Sequence, residues 1–293
     1  MSGIPAYAFS LANALLDERP VLLARDAAGR VVNATDLLGI ADTDAALADL
    51  QVLETLQAAL PRAPSLPQGE LGWRPAVLRP EKILMVGLNY RRHAEETKNP
   101  IPTSPVLFGK FNNALAAHGA EVPLPVTHAA WFDYEAELVI VLGALGRDVA
   151  EASALDRVFG YAVGNDLSAR ELQRRTSQML LGKSLDGFAP VGPWIVGRGL
   201  VPTPDALGIR CQINGALVQD SSTTDMIFGC AQLVSYASRT MTLKPGDLIF
   251  TGTPEGVIAG KPEAERRWLR DGDQVRTEID SLGTLDVTLR ARH

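Results

Sequence analysis

The stretch DYEAELVIVLG, residues 133–143, places Asp133, Glu135 and Glu137 at alternate positions. Side chains alternate between the two faces of a strand, so all three acids point the same way. The residues that follow, Leu138 to Leu142, are continuously apolar, as in a strand buried on both faces. Carboxylates crowded together away from water repel each other and need a cation or a shared proton. Taken alone, the pattern also fits an edge strand with one solvated face.

Three other stretches carry residues of the right chemistry. In GYAVGNDLSAREL, Asp166 ends an apolar strand just before a helix expected to be led by Ser168. It either caps that helix or adds a third acid to the set. Glu135, Glu137 and Asp166 together would be an all-oxygen ligand set, which hard divalent ions prefer and zinc does not. In GLNYRRHAEE, His93 and Glu96 are three apart and share a helix face. They are a solvated surface pair, or a dyad in which Glu96 fixes the imidazole tautomer and leaves the other nitrogen as a base. In GKSLDGFAPVGPWIV, Lys183 is either a solvated loop lysine or a cation that meets a developing enolate. His118, His128 and His293 have no comparable partner nearby and read as surface residues.

These residues must be held by a fold, and the chain is long enough for one. It has 293 residues, 46% hydrophobic and 21% charged, within the range of globular proteins and sufficient for one large domain or a small plus a large one. The net charge of -6, with no basic patch, argues against a nucleic-acid partner. Two cysteines give no disulfide framework and no cysteine-based zinc site. The first basic residue is Arg19, so no signal peptide is expected, and the apolar run around Leu138 to Leu145 is too short for a bilayer. A cytoplasmic location and no membrane partner are the expectations.

Residues 1–70 read as a small separate α/β unit. PVLLARDAAGRVV predicts a hairpin. Leu47, Leu50, Leu53, Leu56 and Leu60 predict a single helix, capped by Asp42 or Thr43 and stopped by Pro61. Residues 61–80, dense in Pro and Gly, predict a linker that wraps rather than packs. From residue 81 to 293 short strands dominate, with helices expected near 90–97, 151–157, 168–177 and 225–240. Asn214-Gly215 in GIRCQINGALVQD is the residue pair of a type I′ hairpin turn. Strands and helices do not alternate strictly, which favours an α+β class over a doubly wound fold. Neither a GxGxxG nor a P-loop is present.

In their order and flanks, GLNYRRHAEE, SPVLFGK, DYEAELVIVLG, GYAVGNDLSAREL, GKSLDGFAPVGP, STTDMIFG and LKPGDLIFTGTPEGV resemble the fumarylacetoacetate hydrolase superfamily from about Ile83 to the C-terminus. The N-terminal unit resembles, more loosely, the small extra domain of longer bacterial members. The resemblance implies a strand-rich mixed β-sandwich or roll catalytic domain with a divalent metal, Mg²⁺ or Mn²⁺, for which Ca²⁺ can substitute in vitro. It places the metal ligands on Glu135, Glu137 and Asp166, the general-base dyad on His93 and Glu96, and a lysine near the metal on Lys183. Substrate contacts fall on Arg170, Gln173 and Thr253, with Tyr90 and Lys110 in matching flanks. It also implies a homodimer. After Lys110 the sequence FNNALAAHG departs from the Pro/Ser-rich loop of many relatives, which leaves substrate identity open.

The function this implies is hydrolysis of a C–C bond in a 1,3-diketone acid of the acylpyruvate or fumarylpyruvate type. The alternatives on the same site are decarboxylation or tautomerisation of a smaller 2-oxo acid such as oxaloacetate, isomerisation of a 2-hydroxy-dienedioate, and binding without turnover. Superfamily membership does not select among them. Residues 90–104 have little apolar content and three prolines at 100, 102 and 105 follow closely, so a mobile lid is expected there.

Overall fold

The computed structural model describes residues 3–66 and 71–292. Two sheets organise the chain. The larger has ten strands and runs Val31–Asn33, Arg19–Asp26, Phe9–Leu16, Ile195–Gly197, Val158–Asn165, Ala136–Leu142, Leu248–Phe250, Ile83–Gly87, Val106–Lys110, with Gly72–Trp73 added against Phe9–Leu16. Among the described residues its one parallel pairing joins Leu248–Phe250 to Ile83–Gly87. The smaller has five strands in the order Ala216–Ser222, Gly208–Ile213, Gln274–Ile279, Gly283–Arg292, Glu121–Pro125. The expected strand-rich α+β class is what forms, and neither sheet closes into a barrel.

The acid-bearing strand Ala136–Leu142 lies in the interior of the large sheet, and all seven residues are buried. Burying a Val, Leu or Ile side chain contributes about 1.5–3 kcal/mol, so Leu138 to Leu142 hold the strand in place despite the charges at its start. Its register with Val158–Asn165 pairs Ala136 with Asn165 and Glu137 with Gly164. Antiparallel pairing therefore brings the end of one strand, and Asp166 just beyond it, beside the start of the other.

The N-terminal strands do not stand apart from this sheet. Phe9–Leu16 pairs with Ile195–Gly197, so Val31–Asn33 and Arg19–Asp26 extend the edge of the sheet that carries the acids. The hairpin expected from PVLLARDAAGRVV is present. The strand before it, FSLANALL, was not expected, because Ala and Leu favour helix and only pairing across the chain overrides that preference. The expected single helix is two, Thr43–Ala48 and Leu50–Ala59. Asp49 takes an extended backbone between them and accepts from the Gln51 N–H, so it ends one helix and caps the next. The proposed linker packs: Gly72–Trp73 pairs with Phe9–Leu16, and Ala63, Ala76 and Val77 are buried. The boundary at residue 70 falls on 67–70, outside the described residues.

Other expectations needed adjustment. The helix expected over 168–177 is only Arg170–Gln173, because Ser168–Ala169 instead forms a short strand against Phe132–Asp133. That at 151–157 is a 3₁₀ helix, and that at 225–240 narrows to Cys230–Ser238. Arg91–Glu96 forms as expected. Asn214 and Gly215 both take positive φ, as a type I′ turn requires. His128 is exposed; His118 is half-buried, where its Nδ1 accepts the Asp286 N–H and its ring lies edge-on to Trp73. His293 lies outside the described residues. No helix among the described residues is long and apolar enough to cross a membrane.

Candidate active site

Glu135, Glu137 and Asp166 converge. Each offers a carboxylate oxygen, these atoms all lie within 4.8 Å of one another, and all three residues are buried. The backbone fixes the arrangement. The Asp166 N–H donates to the Glu135 carbonyl at 2.8 Å, and the Glu135 N–H donates to the Asn165 side chain at 3.0 Å. Asp166 does not cap a helix; the residue before Arg170–Gln173 is Ala169.

Three cations face these acids. Lys183 Nζ lies 2.8 Å from Glu135 Oε2 and 2.7 Å from Asp166 Oδ2. Lys110 Nζ lies 2.6 Å from Asp166 Oδ1 and donates to the carbonyls of Leu167 and Phe188. Arg170 Nη2 lies 2.6 Å from Glu135 Oε1. Lys183 is thus buried, not a solvated loop residue. It reaches the acids because its helix, Leu180–Lys183, packs hard against Arg170–Gln173: a Cβ on Gly182 would lie 2.2 Å from the Gln173 backbone nitrogen.

The electrostatics divide the acids. Burial opposes charge on Glu135, but Lys183 and Arg170 outweigh it and hold that carboxyl well below the usual range. Glu137 is pushed well above it by burial, with the charges of Asp166 and Glu135 adding to the shift. Its only hydrogen-bond donor among the described residues is the Gly252 N–H, at 2.8 Å. Counting Asp133, four buried carboxylates meet three buried cations. With Glu137 ionised, as a bound cation would favour, the set carries one negative charge in excess, and it offers only oxygen ligands, which suits a hard divalent cation.

Asp133, the first acid of the alternating series, does not join the ligand set. It is fully buried, and its Oδ2 lies 2.8 Å from both Nε and Nη2 of Arg170. Arg170 Nη1 in turn donates to Gln173 Oε1 at 3.0 Å.

His93 and Glu96 meet, with Nδ1 3.1 Å from Glu96 Oε2. A carboxylate accepts, so this contact places the proton on Nδ1 and leaves Nε2 free to take one. The other Glu96 oxygen accepts the Gly256 N–H at 3.0 Å. A cavity of about 320 Å³ joins the two groups; His93, Glu135, Arg170, Gln173, Lys183 and Thr253 all line it. Val86, Leu88, Val106, Phe108 and Met179 supply apolar walls. Tyr90 is elsewhere: it is fully buried and not among the lining residues, and burial, then the nearby Glu137 charge, pushes its phenol well above the usual range.

Sequence reasoning gave no role to Gln219. Its Oε1 accepts the Ala136 N–H, between the two glutamates, at 3.0 Å. Its Nε2 donates to Thr253 Oγ1 at 2.9 Å and to the Pro254 carbonyl at 3.0 Å. It lies two residues beyond Leu217 on a strand of the small sheet, and no local pattern marks it.

Residues 82–290 match the family described as fumarylacetoacetate (FAA) hydrolase, C-terminal. A fumarylacetoacetate hydrolase domain-containing protein 2 homolog of Dictyostelium discoideum is 45% identical over 72% of this chain and 72% of its own length. A mitochondrial oxaloacetate tautomerase of Xenopus laevis is 42% identical over 71% of this chain and 65% of its own. Among solved structures, a fumarylacetoacetate hydrolase from Exiguobacterium antarcticum superposes with a TM-score of 0.87 at 31% identity, covering 97% of this chain and 100% of that one. A maleylpyruvate hydrolase from Sphingobium sp. SYK-6, in complex with manganese(II) and pyruvate, gives 0.80 at 29% identity over 97% and 100%.

Proposed function

Because the chain belongs to the fumarylacetoacetate hydrolase family, we propose that it is a divalent-metal-dependent enzyme that hydrolyses a C–C bond in a 1,3-diketone acid of the acylpyruvate type. The observation that carries this reading is the shared cavity, which His93 of the dyad and Glu135 of the acid cluster both line, with Glu96 behind the one and Glu137 and Asp166 beside the other. Glu135, Glu137 and Asp166 would hold Mg²⁺ or Mn²⁺, the latter found with pyruvate in the Sphingobium relative. When bound, the cation supplies Lewis acidity toward the 2-oxo acid end of the substrate.

The chain's own residues do the rest. His93 Nε2 takes a proton from water, and Glu96 stabilises the imidazolium that forms. Hydroxide adds to the carbonyl distal to the 2-oxo acid. The bond between that carbon and C3 breaks, and its electron pair stays on the 2-oxo acid fragment as an enolate. The Lys183 ammonium lines the cavity, where it opposes that negative charge. His93 then returns a proton to C3, giving a carboxylic acid and a 2-oxo acid. The Gln173 amide and Thr253 face the same space and orient the substrate.

Tautomerisation of an oxaloacetate-type 2-oxo acid is the second reading. It is favoured by the frog tautomerase, at 42% identity against 29% for the maleylpyruvate hydrolase. The same dyad would then move a proton between C3 and oxygen without an attacking water. Assays with acylpyruvates, fumarylpyruvate and oxaloacetate, with Mg²⁺ and with Mn²⁺, separate the two by their products. Pyruvate plus a second acid supports hydrolysis. Faster enol–keto relaxation of oxaloacetate with intact acylpyruvates supports tautomerisation and rejects hydrolysis.

A further inference from the structure

Asp133 is a buried carboxylate that neither the ligand set nor the dyad uses. Its Oδ1 accepts the N–H groups of Tyr134 at 2.9 Å and Ile258 at 2.8 Å. Its Oδ2 accepts the Ala259 N–H at 2.9 Å and carries the Arg170 guanidinium. The guanidinium is planar and rigid, so gripping its Nε edge fixes the direction of Nη1. Nη1 points at Gln173 Oε1.

An arginine has donors and no acceptor, so this contact settles which way the Gln173 amide faces. Its oxygen is occupied by Arg170. Among the described residues its nitrogen has only Met179 Sδ, at 3.5 Å, a weak acceptor that a better one can replace. We infer that Asp133 is a positioning residue: acting through Arg170, it locks Gln173 so that the cavity meets an N–H donor, and it thereby selects substrates that place an acceptor oxygen, carboxylate or carbonyl, against that side chain. This deepens the proposed function and rests on its placing of the substrate against Gln173.

The test pairs Asp133→Asn with Gln173→Ala. Asparagine keeps an oxygen for the backbone donors but loses the charge that grips Arg170. Calorimetry with pyruvate, at saturating Mg²⁺, reads affinity in the parent, each single variant and the double. Asp133→Asn is expected to weaken pyruvate binding about tenfold, the worth of one lost oriented hydrogen bond. In the Gln173→Ala background it should weaken binding less than twofold further. Losses that multiply instead would overturn the inference, because Asp133 would then act by a route other than Gln173.

A ligand-free crystal structure of Asp133→Asn gives a readout independent of substrate. The Arg170–Gln173 contact is expected to open and the amide to turn; an unchanged contact would overturn the inference. If Asp133→Asn does not fold, Arg170→Lys carries the same tests, since lysine keeps the charge but cannot reach Gln173 with a second nitrogen. If the parent fails to bind pyruvate, the functional reading falls, and the ligand-free structure still decides the role of Asp133.

Discussion

Gly256 donates its backbone N–H to Glu96 Oε1 at 3.0 Å, across 160 residues of chain. The loop that follows Phe250 thus holds the dyad's carboxylate from one side while His93 holds it from the other. The loop also leaves no spare room there. A Cβ on Gly260 would lie 2.5 Å from the Glu96 carboxyl carbon. The Gly260 backbone is not in the left-handed region, so alanine fits the chain and the flexible end of Glu96 must give way. Gly260→Ala is therefore expected to lower kcat about tenfold, part of the roughly 10²–10⁴ that a positioned base supplies, with Tm nearly unchanged. A kcat within twofold of the parent would show that the orientation of Glu96 does not matter.

The acid cluster yields a cleaner variant than truncation. Removing Glu135 would break its buried ion pairs with both Lys183 and Arg170, leaving the one on Asp166 and the other on Asp133, and breaking a buried ion pair costs about 3–5 kcal/mol. Glu137 has no cation of its own and is pushed toward its protonated form. Glu137→Gln is isosteric with that neutral form and removes the need to hold a proton there. Without metal its Tm should equal or exceed the parent's, while calorimetry should show Mn²⁺ binding weakened at least about a hundredfold. Parent-like Mn²⁺ binding would remove Glu137 from the ligand set.

Much of this site could be read from the sequence because it is local or periodic. The alternation pointed to Glu135 and Glu137 meeting, and their apolar flank signalled burial; the two do meet, although the strand begins only at Ala136 and the expected continuous strand is broken at 134–135. His93 and Glu96 touch because they share one turn of helix. What escaped depends on long-range pairing. Asp133 belongs to the same alternating series in the sequence, but it lies in a separate short strand, Phe132–Asp133, and pairs with Arg170, 37 residues on, instead of joining the ligand set. Gln219 reaches Ala136 from 83 residues away. The position of Lys183 in the site was implied by resemblance alone, since its flanks fit a solvated loop as well as a buried helix.

Gln219 joins the acid strand to the Thr253–Glu255 turn. Gln219→Leu keeps the volume but leaves the buried Ala136 N–H without an acceptor. A buried unsatisfied donor costs about 1–3 kcal/mol, so thermal unfolding should show a lower Tm. Substrate KM should rise as well, because Thr253 loses its partner. An unchanged Tm would mean that water replaces the glutamine without loss.

The expected lid needs a narrower boundary. Tyr90 and Ala94 are buried, and Arg92 pairs with Asp225 and Glu255, so Arg91–Glu96 is anchored. Residues 98–101 are all exposed, yet Asn99 lines the cavity. Hydrogen exchange over 97–104 is expected to slow when oxalate is added with Mg²⁺. Equal exchange with and without oxalate would count against closure.

The most direct test of the central claim follows the hydrogens on C3. If the dyad moves protons on a 2-oxo acid held at the acid cluster, the parent should exchange the C3 hydrogens of pyruvate for deuterium in D₂O, read by proton NMR. This holds for hydrolysis and for tautomerisation, since both pass through the enolate. The account predicts exchange that needs Mg²⁺ or Mn²⁺, stops with EDTA, and falls at least about a hundredfold in His93→Ala. Exchange that persists in EDTA, or that His93→Ala leaves within a few-fold of the parent, would contradict it.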